Sequence, residues 1–419
     1  MKKNYKVDLA VGHISECQVC GSQNIQQVID MGFCAPCDSL LTPAMLKEAE
    51  LSYPLNMVRC RDCGLPQIDY VVDGSVLFHP NYPYRSGITN PLRQNLLNVS
   101  RHLVNKINLK KDSLVVDIGS NDGTILEGFQ SVGMRVTGVE PTNIADIAIK
   151  NGVPTINKFF GSDVAKQIVE ESGKAFVVTA ANVFAHVDKL KSLMEGVTLL
   201  LEDGGYFITE SHYMLDILDT LQYDSIYHEH LRYYLIKPMQ VLFENYGFTL
   251  VDVERISNYG GSIRIYAKKG VNHTALPSVQ ELLDVEYKQA AYEESTYVEF
   301  ANRIATARAE LRSTLVRLKQ EGMSVVGVGC PGRCVTMLNY CGVTPDLMPY
   351  IAEQSTSLKL GLSTPSTHIP VVDEERMLNE QPDYAVILSW HYADAIIKSL
   401  RDKGLKSKII IPLPTLRVV

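Results

Sequence analysis

Apolar and polar positions along this chain change period repeatedly, and the changes mark its elements. Between Leu92 and Ile107 the residues Leu96, Leu97, Leu103, Val104 and Ile107 recur at helical spacing, so a helix is predicted there, leading into a strand at Leu114. A β-branched run, Val115-Val116, then ends in Asp117-Ile118-Gly119; a glycine-containing turn follows, and a helix is predicted from Thr124. Further strands are predicted at Val136–Val139, in a segment ending near Phe160, at Ala175–Ala180, Gly205–Thr209, Thr249–Val253 and Ser262–Ala267. Strands alternating with helices predict an α/β fold with a mainly parallel, doubly wound sheet. Ligands of such sheets lie beyond the carboxyl ends of the strands, which would gather Gly119, Glu140, Phe160 and Asn182 at one edge.

The pattern continues with Ser278-Val-Gln-Glu281, whose capping-box spacing predicts the start of a long helical region. Tyr297, Ile304, Leu311, Leu315 and Leu318 form an apolar stripe suited to pack against a neighbouring domain. Ser324 to Arg333 begins another strand, turn and helix, and Asp383–Ser389 and Ile409–Pro412 supply more strands. The last hundred residues therefore read as a second, smaller Rossmann-like α/β domain. Phe78 to Pro91, rich in turn formers and tyrosines, reads as a loop.

The chain of 419 residues is long for one core, so two to four domains are expected. Hydrophobic residues at 46% and a mean hydropathy of -0.01 describe a globular protein. A net charge of -7 and a pI near 5.8 give no basic footprint for a nucleic-acid polymer or an anionic membrane. No apolar run reaches membrane-spanning length and the first residues lack a signal-peptide pattern, so a cytoplasmic location is expected.

Six of the nine cysteines fall in the first seventy residues as three Cys-x-x-Cys pairs. In a reducing compartment this suggests metal more than disulfides. Cys17-Gln-Val-Cys20-Gly21 and Cys60-Arg-Asp-Cys63-Gly64 each read as a knuckle, the glycine permitting the tight turn that aims two thiolates at one ion. Together Cys17, Cys20, Cys60 and Cys63 would close a tetrahedral structural zinc site, with a loop or small helix inserted near Thr42 to Glu50. Unmetallated thiols or a redox pair are the alternative. Cys34-Ala-Pro-Cys37 is left outside the metal set, and Cys330, Cys334 and Cys341 read as buried thiols. The chain divides into a small zinc-binding module (1–75), a central Rossmann-like domain (76–275), linking helices (276–320) and the C-terminal α/β domain (321–419).

Val115-Val-Asp-Ile-Gly-Ser-Asn-Asp-Gly123 followed by Val136-Thr-Gly-Val-Glu-Pro141 reads as an S-adenosylmethionine site. Gly119 and Gly123 can leave the backbone bare beside a ligand. Glu140, just over twenty residues beyond Asp117, stands where a carboxylate at the second strand's tip can accept both ribose hydroxyls. The wide glycine spacing departs from the dinucleotide fingerprint and suits a ligand without phosphate. The candidate cofactor contacts are Asp117, Gly119, Asn121, Asp122, Gly123, Glu140, Pro141, Phe160 and Asn182. Gly327-x-Gly329-x-x-Gly332, with Glu353 downstream, matches the dinucleotide fingerprint itself and leaves a second nucleotide site, or a mere tight turn, open.

Tyr227-His-Glu-His230 concentrates proton-transfer groups. Two histidines two apart do not form the zinc-protease pair. In an extended segment His228 and His230 would share a face, whereas a turn would bring Tyr227 to His230. A near-neutral histidine suits removal of a carbon-bound proton beside a ketone, and a tyrosine hydroxyl can donate to the enolate. His186, just past the fourth strand, is placed to join them.

These motifs together resemble the NDP-sugar C-methyltransferases, which add a methyl branch to C-3′ of a nucleotide-linked 4-keto-deoxysugar. The resemblance runs through the cysteine pairs, Tyr82-x-Tyr84-x-Ser86-Gly87, the Asp117 and Glu140 motifs, Ala181 to Asp188, Tyr227 to His230, Gly260-Gly-Ser-Ile-Arg264, and Cys330 to Gly342. It implies zinc on the four outer cysteines, adenosylmethionine in the central domain, and a substrate cleft between the central and C-terminal domains. It places the general base on His230, with Tyr227, Glu229 and His186 in support. Tyr84, Ser86, Ser262, Arg264 and Arg333 become the candidate acceptor contacts. The chain carries Cys34-Ala-Pro-Cys37-Asp-Ser-Leu where relatives carry a Gln-Pro-Leu-Ala-Asn-like segment, and Arg333 where lysine is commoner. The implied partner is a nucleotide-linked keto-sugar; the number of copies is left open, a monomer being compatible. Rival readings are methylation of oxygen or nitrogen, a nicotinamide oxidoreductase using the Gly327 turn, and a non-catalytic zinc-anchored protein.

Overall fold

Two cysteine knuckles open the fold. The glycine after each pair takes the left-handed conformation, Gly21 at φ 59° and Gly64 at φ 86°. The chain turns back there, with Gly21 N donating to Cys17 O at 2.8 Å and Gly64 N to Cys60 O at 3.0 Å. The computed structural model of the protein describes residues 8–78, 87 and 90–419. Between the knuckles β1 (Ile25–Cys34) and β2 (Tyr53–Cys60) pair antiparallel, and β3 (Pro66–Ile68) adds to β2. The expected insertion holds a single short 3-10 turn, Met45–Lys47.

The central sheet contains β4 (Leu114–Ile118), β5 (Arg135–Val139), β6 (Thr155–Ile156), β7 (Ala175–Ala181), β8 (Leu201–His212), β9 (Phe248–Ile256) and β10 (Ser262–Lys269). Its order is β9-β10-β8-β7-β4-β5-β6. All neighbours from β8 to β6 are parallel, and β10 runs antiparallel to both β8 and β9. Helices cover both faces, so β4 is buried along its whole length, Asp117 included, as its Val115-Val116 run requires. The sheet is the mainly parallel one expected, with one reversed strand that alternation did not reveal.

A helical connection follows. The helix α1 (Pro277–Lys288) begins one residue before Ser278, with Leu276 as N-cap and proline in its first turn. Ser278 is therefore not the cap that its spacing to Glu281 suggested; its hydroxyl donates to Asp252 Oδ1 at 2.5 Å. The helix α2 (Glu294–Gln320) buries Tyr297, Phe300, Ile304, Ala307, Leu311, Leu315 and Leu318, one face over about 30 Å. That stripe lies against β1 of the zinc module and the first strand of the last sheet.

The C-terminal sheet orders β11 (Val325–Val328), β12 (Ile351–Glu353), β13 (Val371–Asp373), β14 (Tyr384–Ile387), β15 (Lys408–Ile411) and β16 (Arg417–Val418) as β13-β12-β11-β14-β15-β16. All but the edge strand β16 are parallel. No helix among the described residues is long and apolar enough to cross a membrane.

Candidate active site

A cavity of about 910 Å³ lies beyond the carboxyl ends of the central strands. It is lined by Asp117, Gly119, Asn121, Asp122, Glu140, Pro141, Phe160 and Asn182, so eight of the nine candidate cofactor contacts converge there. Gly123 is the exception. It caps the following helix at φ 79°, and a Cβ there would press on Ala148 and Val153 at 3.0–3.1 Å, so it serves packing.

The turn after β4 carries no side chain at Gly119 because Val183 leaves no room for one. Gly119 sits at φ 68°, and a Cβ would come within 2.4 Å of Val183. Glu140 braces the turn, accepting from Asn121 N at 3.0 Å, Thr142 N at 2.9 Å and Thr142 Oγ1 at 2.7 Å. A carboxylate offers about four acceptor positions, so Glu140 retains room for one ribose hydroxyl, not two. Asp117 accepts from Thr179 Oγ1 at 2.6 Å. Burial raises its carboxyl to about 7 against that hydrogen bond, with the Glu140 charge adding to the rise. Ser120 Oγ and Asn182 Oδ1 line the cavity, are buried, and have no hydrogen-bond partner among the described residues. Unmet polar atoms, a bare turn, an acidic strand tip and a phenylalanine fit the ribose, amino-acid and adenine parts of adenosylmethionine.

Tyr227, Glu229, His230 and His186 line the same cavity. The sequence left the shape of Tyr227–His230 open; it is a turn, closed by His230 N donating to Tyr227 O at 2.9 Å. Consequently Tyr227 Oη lies 2.8 Å from His230 Nε2, while His228 faces away, 3.2 Å from Pro54 O. His230 Nδ1 is 2.8 Å from the Ser225 carbonyl, which can only accept, so Nδ1 carries the hydrogen and Nε2 presents a lone pair to the Tyr227 hydroxyl. His186 and His212 flank the His230 ring, each with centroids 4.9 Å away. Burial lowers His186 to about 4 with help from the Arg232 charge, and lowers His212 to about 3 with help from Arg333. His230 is likewise held well below its ordinary value by burial and by the two neighbouring imidazoles. All three are neutral rings at neutral pH.

The far wall comes from the C-terminal sheet through Pro331, Gly332, Arg333, Ser357, Leu358 and Lys359. Arg333 donates to Asp224 Oδ1 at 2.8 Å and to Gln222 Oε1 at 3.2 Å, and Trp390 Nε1 donates to Asp224 Oδ2 at 2.8 Å. Asp224 is fully buried, three residues before Tyr227, so the C-terminal domain fastens the Tyr227–His230 turn.

Ser262 and Arg264, expected at the acceptor, are not brought there. Ser262 Oγ donates to Asn258 O at 3.1 Å, and Arg264 is held by Glu210 at 2.9 Å and Glu254 at 3.2 Å inside the sheet. The glycines before them answer to packing: a Cβ on Gly260 would meet His391 at 2.2 Å and one on Gly261 would meet Asp216 at 2.2 Å. Tyr84 and Ser86 lie outside the described residues. Sequence reading missed His212, Asp38 and Lys359, all of which line the cavity. His212 ends a parallel strand on the ligand side, and the strand-end rule could have found it; Asp38 and Lys359 carry no comparable local signal.

In the zinc module the Sγ atoms of Cys17, Cys20, Cys60 and Cys63 lie within 4.8 Å of one another, Cys17–Cys63 at 3.5 Å and Cys20–Cys60 at 3.6 Å. A tetrahedral zinc with four thiolates at about 2.3 Å separates its sulfurs by about 3.8 Å, so the set fits the ion. Cys34 and Cys37 stand apart from it.

Fold, cavity and cysteine cluster define an adenosylmethionine-dependent methyltransferase with a zinc-binding N-terminal module. Residues 17–78 match a zinc binding domain family, 92–253 a methyltransferase domain family, and 257–414 the C-methyltransferase C-terminal domain family. Over 411 residues, 97% of each chain, the protein is 34% identical to the C-methyltransferase NovU of Streptomyces niveus, and it belongs to the C-methyltransferase family. A shorter likeness, 28% over 190 residues, covers 40% of this chain and 75% of a ubiquinone biosynthesis O-methyltransferase of Colwellia psychrerythraea. Among solved structures, a magnesium protoporphyrin IX methyltransferase of Synechocystis aligns with 42% of this chain and 83% of its own at 16% identity and TM-score 0.33.

Proposed function

We propose that the protein transfers a methyl group from adenosylmethionine to C-3′ of a nucleotide-linked 4-keto-deoxysugar. The observation that carries this reading is the Tyr227–His230 pair, a phenol on the lone pair of a fixed imidazole, opening on the cavity that holds the cofactor contacts. When bound, adenosylmethionine supplies an electrophilic methyl group on a sulfonium leaving group. The remaining task is to make a carbon nucleophile, which needs a base next to the carbon beside the ketone.

His230 Nε2 takes that proton as the Tyr227 hydroxyl turns from the imidazole to the forming enolate oxygen. Hydrogen bonding to Ser225 keeps the ring in the tautomer with Nε2 bare, and His186 and His212 shield it from water. Glu229 borders the same turn, and Asp224 holds it in place against Arg333 and Trp390. Arg333 is the C-terminal wall's cation for the acceptor's diphosphate. The resemblance assigns Tyr84 and Ser86 to the acceptor sugar, and the segments bounded near residues 75, 275 and 320 to separate domains.

Incubation with adenosylmethionine and a panel of TDP-, GDP- and CDP-linked keto-sugars should add one methylene to one acceptor by mass spectrometry. In deuterated water the matching acceptor should exchange its C-3′ hydrogen even without adenosylmethionine. Methylation at oxygen with no such exchange would overturn the enolate route. His230→Asn should reduce turnover by about 10² to 10⁴ while adenosylmethionine affinity stays within about twofold; unchanged turnover removes His230 as the base.

A further inference from the structure

The second Cys-x-x-Cys pair is unused by the zinc cluster, yet its last cysteine touches Glu229, which lines the cavity. Cys37 Sγ lies 3.5 Å from Glu229 Oε1, and the donor atoms of Cys37, Asp38 and Glu229 all fall within 4.8 Å of one another. Cys37 and Glu229 are each about 3% exposed, and Asp38 and Glu229 line the cavity. The three groups come from two distant segments, the zinc module and the catalytic turn, and meet at the wall facing Tyr227. We propose that Cys37, Asp38 and Glu229 form a second metal site, which takes one zinc-like divalent ion with a coordination position open to the catalytic cavity.

Three features support it. One thiolate and two carboxylates are a mixed sulfur and oxygen set that suits zinc or cobalt(II), unlike the all-oxygen sets preferred by magnesium and calcium. Three protein ligands beside a cavity are the pattern of open sites, in contrast to the closed four-thiolate cluster in the same module. Charge also balances. The thiolate and two carboxylates carry three negative charges. One dication and Lys359, whose Nζ is 3.5 Å from Asp38 Oδ1 and 2.8 Å from Cys330 O, bring the cluster to neutrality. On binding, the Cys37 thiol proton leaves to solvent and a sulfur–metal bond replaces the thiol contact to Glu229. The site does not depend on the identity of the sugar acceptor.

Metal content of the full chain tests this directly. After equilibration with micromolar zinc chloride and gel filtration, the wild-type chain should carry two zinc ions and Cys37→Ser one. With cobalt(II), a weaker thiolate-to-metal absorption should appear beside that of the four-thiolate cluster and vanish in Cys37→Ser. Should Cys37→Ser fail to fold, Glu229→Gln, which keeps the side-chain shape, should weaken the second equivalent at least tenfold. Lys359→Met removes the neighbouring positive charge and should tighten it severalfold. One zinc per wild-type chain, two retained in Cys37→Ser, or unchanged affinity in both Glu229→Gln and Lys359→Met would each overturn the proposal.

Discussion

The central and C-terminal sheets contain the same device with opposite outcomes. In each, a carboxylate at the tip of a second strand grips the turn after the first: Glu140 accepts from Asn121 N at 3.0 Å, and Glu353 from Cys330 N at 2.8 Å. Both turns carry glycines at positive φ, Gly119 at 68° and Gly329 at 77°. Around the central turn lie buried polar atoms with no partner among the described residues, and the cofactor contacts. The C-terminal turn is packed against neighbours: a Cβ on Gly332 would meet Asp38 at 2.9 Å, one on Gly329 would meet Ser389 at 2.7 Å, and one on Gly327 would meet Met348 at 2.8 Å. The dinucleotide fingerprint thus describes the tight turn, while the space in front of it decides whether a ligand enters. Here the C-terminal turn has become a wall and a fastener for the other site.

The largest effect should come from undoing the fastener. Asp224→Ala leaves the Arg333 charge without its buried carboxylate and should cost on the order of 3–5 kcal/mol of stability by denaturant unfolding, with turnover falling alongside. A neutral outcome would mean that the C-terminal wall contributes nothing to the catalytic turn. Next, Glu140→Ala should weaken adenosylmethionine binding by about 10- to 100-fold by calorimetry, since a hydrogen bond to a charged group is worth about 1.5–3 kcal/mol. Glu353→Ala should leave that affinity within about twofold. Equal losses in both would erase the distinction between the turns.

The pH dependence sharpens the comparison further. His186, at about 4, and His212, at about 3, sit below the ordinary histidine value of about 6.5, as does His230. The neutral imidazole therefore persists into acid, so His230 should give kcat/KM no limb between pH 8 and pH 6, and a limb near 7 should come from Asp117 and vanish in Asp117→Asn. Stability should behave differently. At these three histidines the unfolded state binds more protons below about pH 6.5, so their contribution to stability is full above that value and falls by up to about 1.4 kcal/mol per pH unit for each histidine down to its folded value, while Asp117 and Glu286, raised to about 7, act in the opposite direction. An acid limb in kcat/KM centred at about 6.5 that persists in Asp117→Asn would contradict the burial of His230. The smallest effect is expected for Gly332→Ala, whose methyl group meets the end of the Asp38 side chain: acceptor KM should change by a few-fold and adenosylmethionine affinity not at all.

Features set by neighbouring residues were legible in the sequence. Cys17-x-x-Cys20-Gly21 specifies its own turn, and the Asp117 and Glu140 motifs specify theirs, because each needs only a glycine or a strand end nearby. The Tyr227–His230 contact was legible only as one of two options, since histidines two apart suit a strand as well as a turn. Contacts across the chain were not legible. Asp224 and Trp390 are 166 positions apart, and Ser262 and Arg264 look like ligand residues until Asn258, Glu210 and Glu254 are seen to hold them. Ser278 shows the same limit on a smaller scale: its capping spacing was real, but Pro277 opened the helix first and Asp252 took the hydroxyl.

The dependence of Asp224 on Trp390 has a consequence for biosynthesis. A ribosome adding about 5–20 residues per second needs on the order of ten seconds or more to travel from one to the other. Throughout that interval the nascent polypeptide can already fold its central sheet, yet the loop bearing the imidazole lacks the Trp390 half of its hold on Asp224. Full closure of that pocket is thereby deferred until the Trp390 segment has been made and has docked.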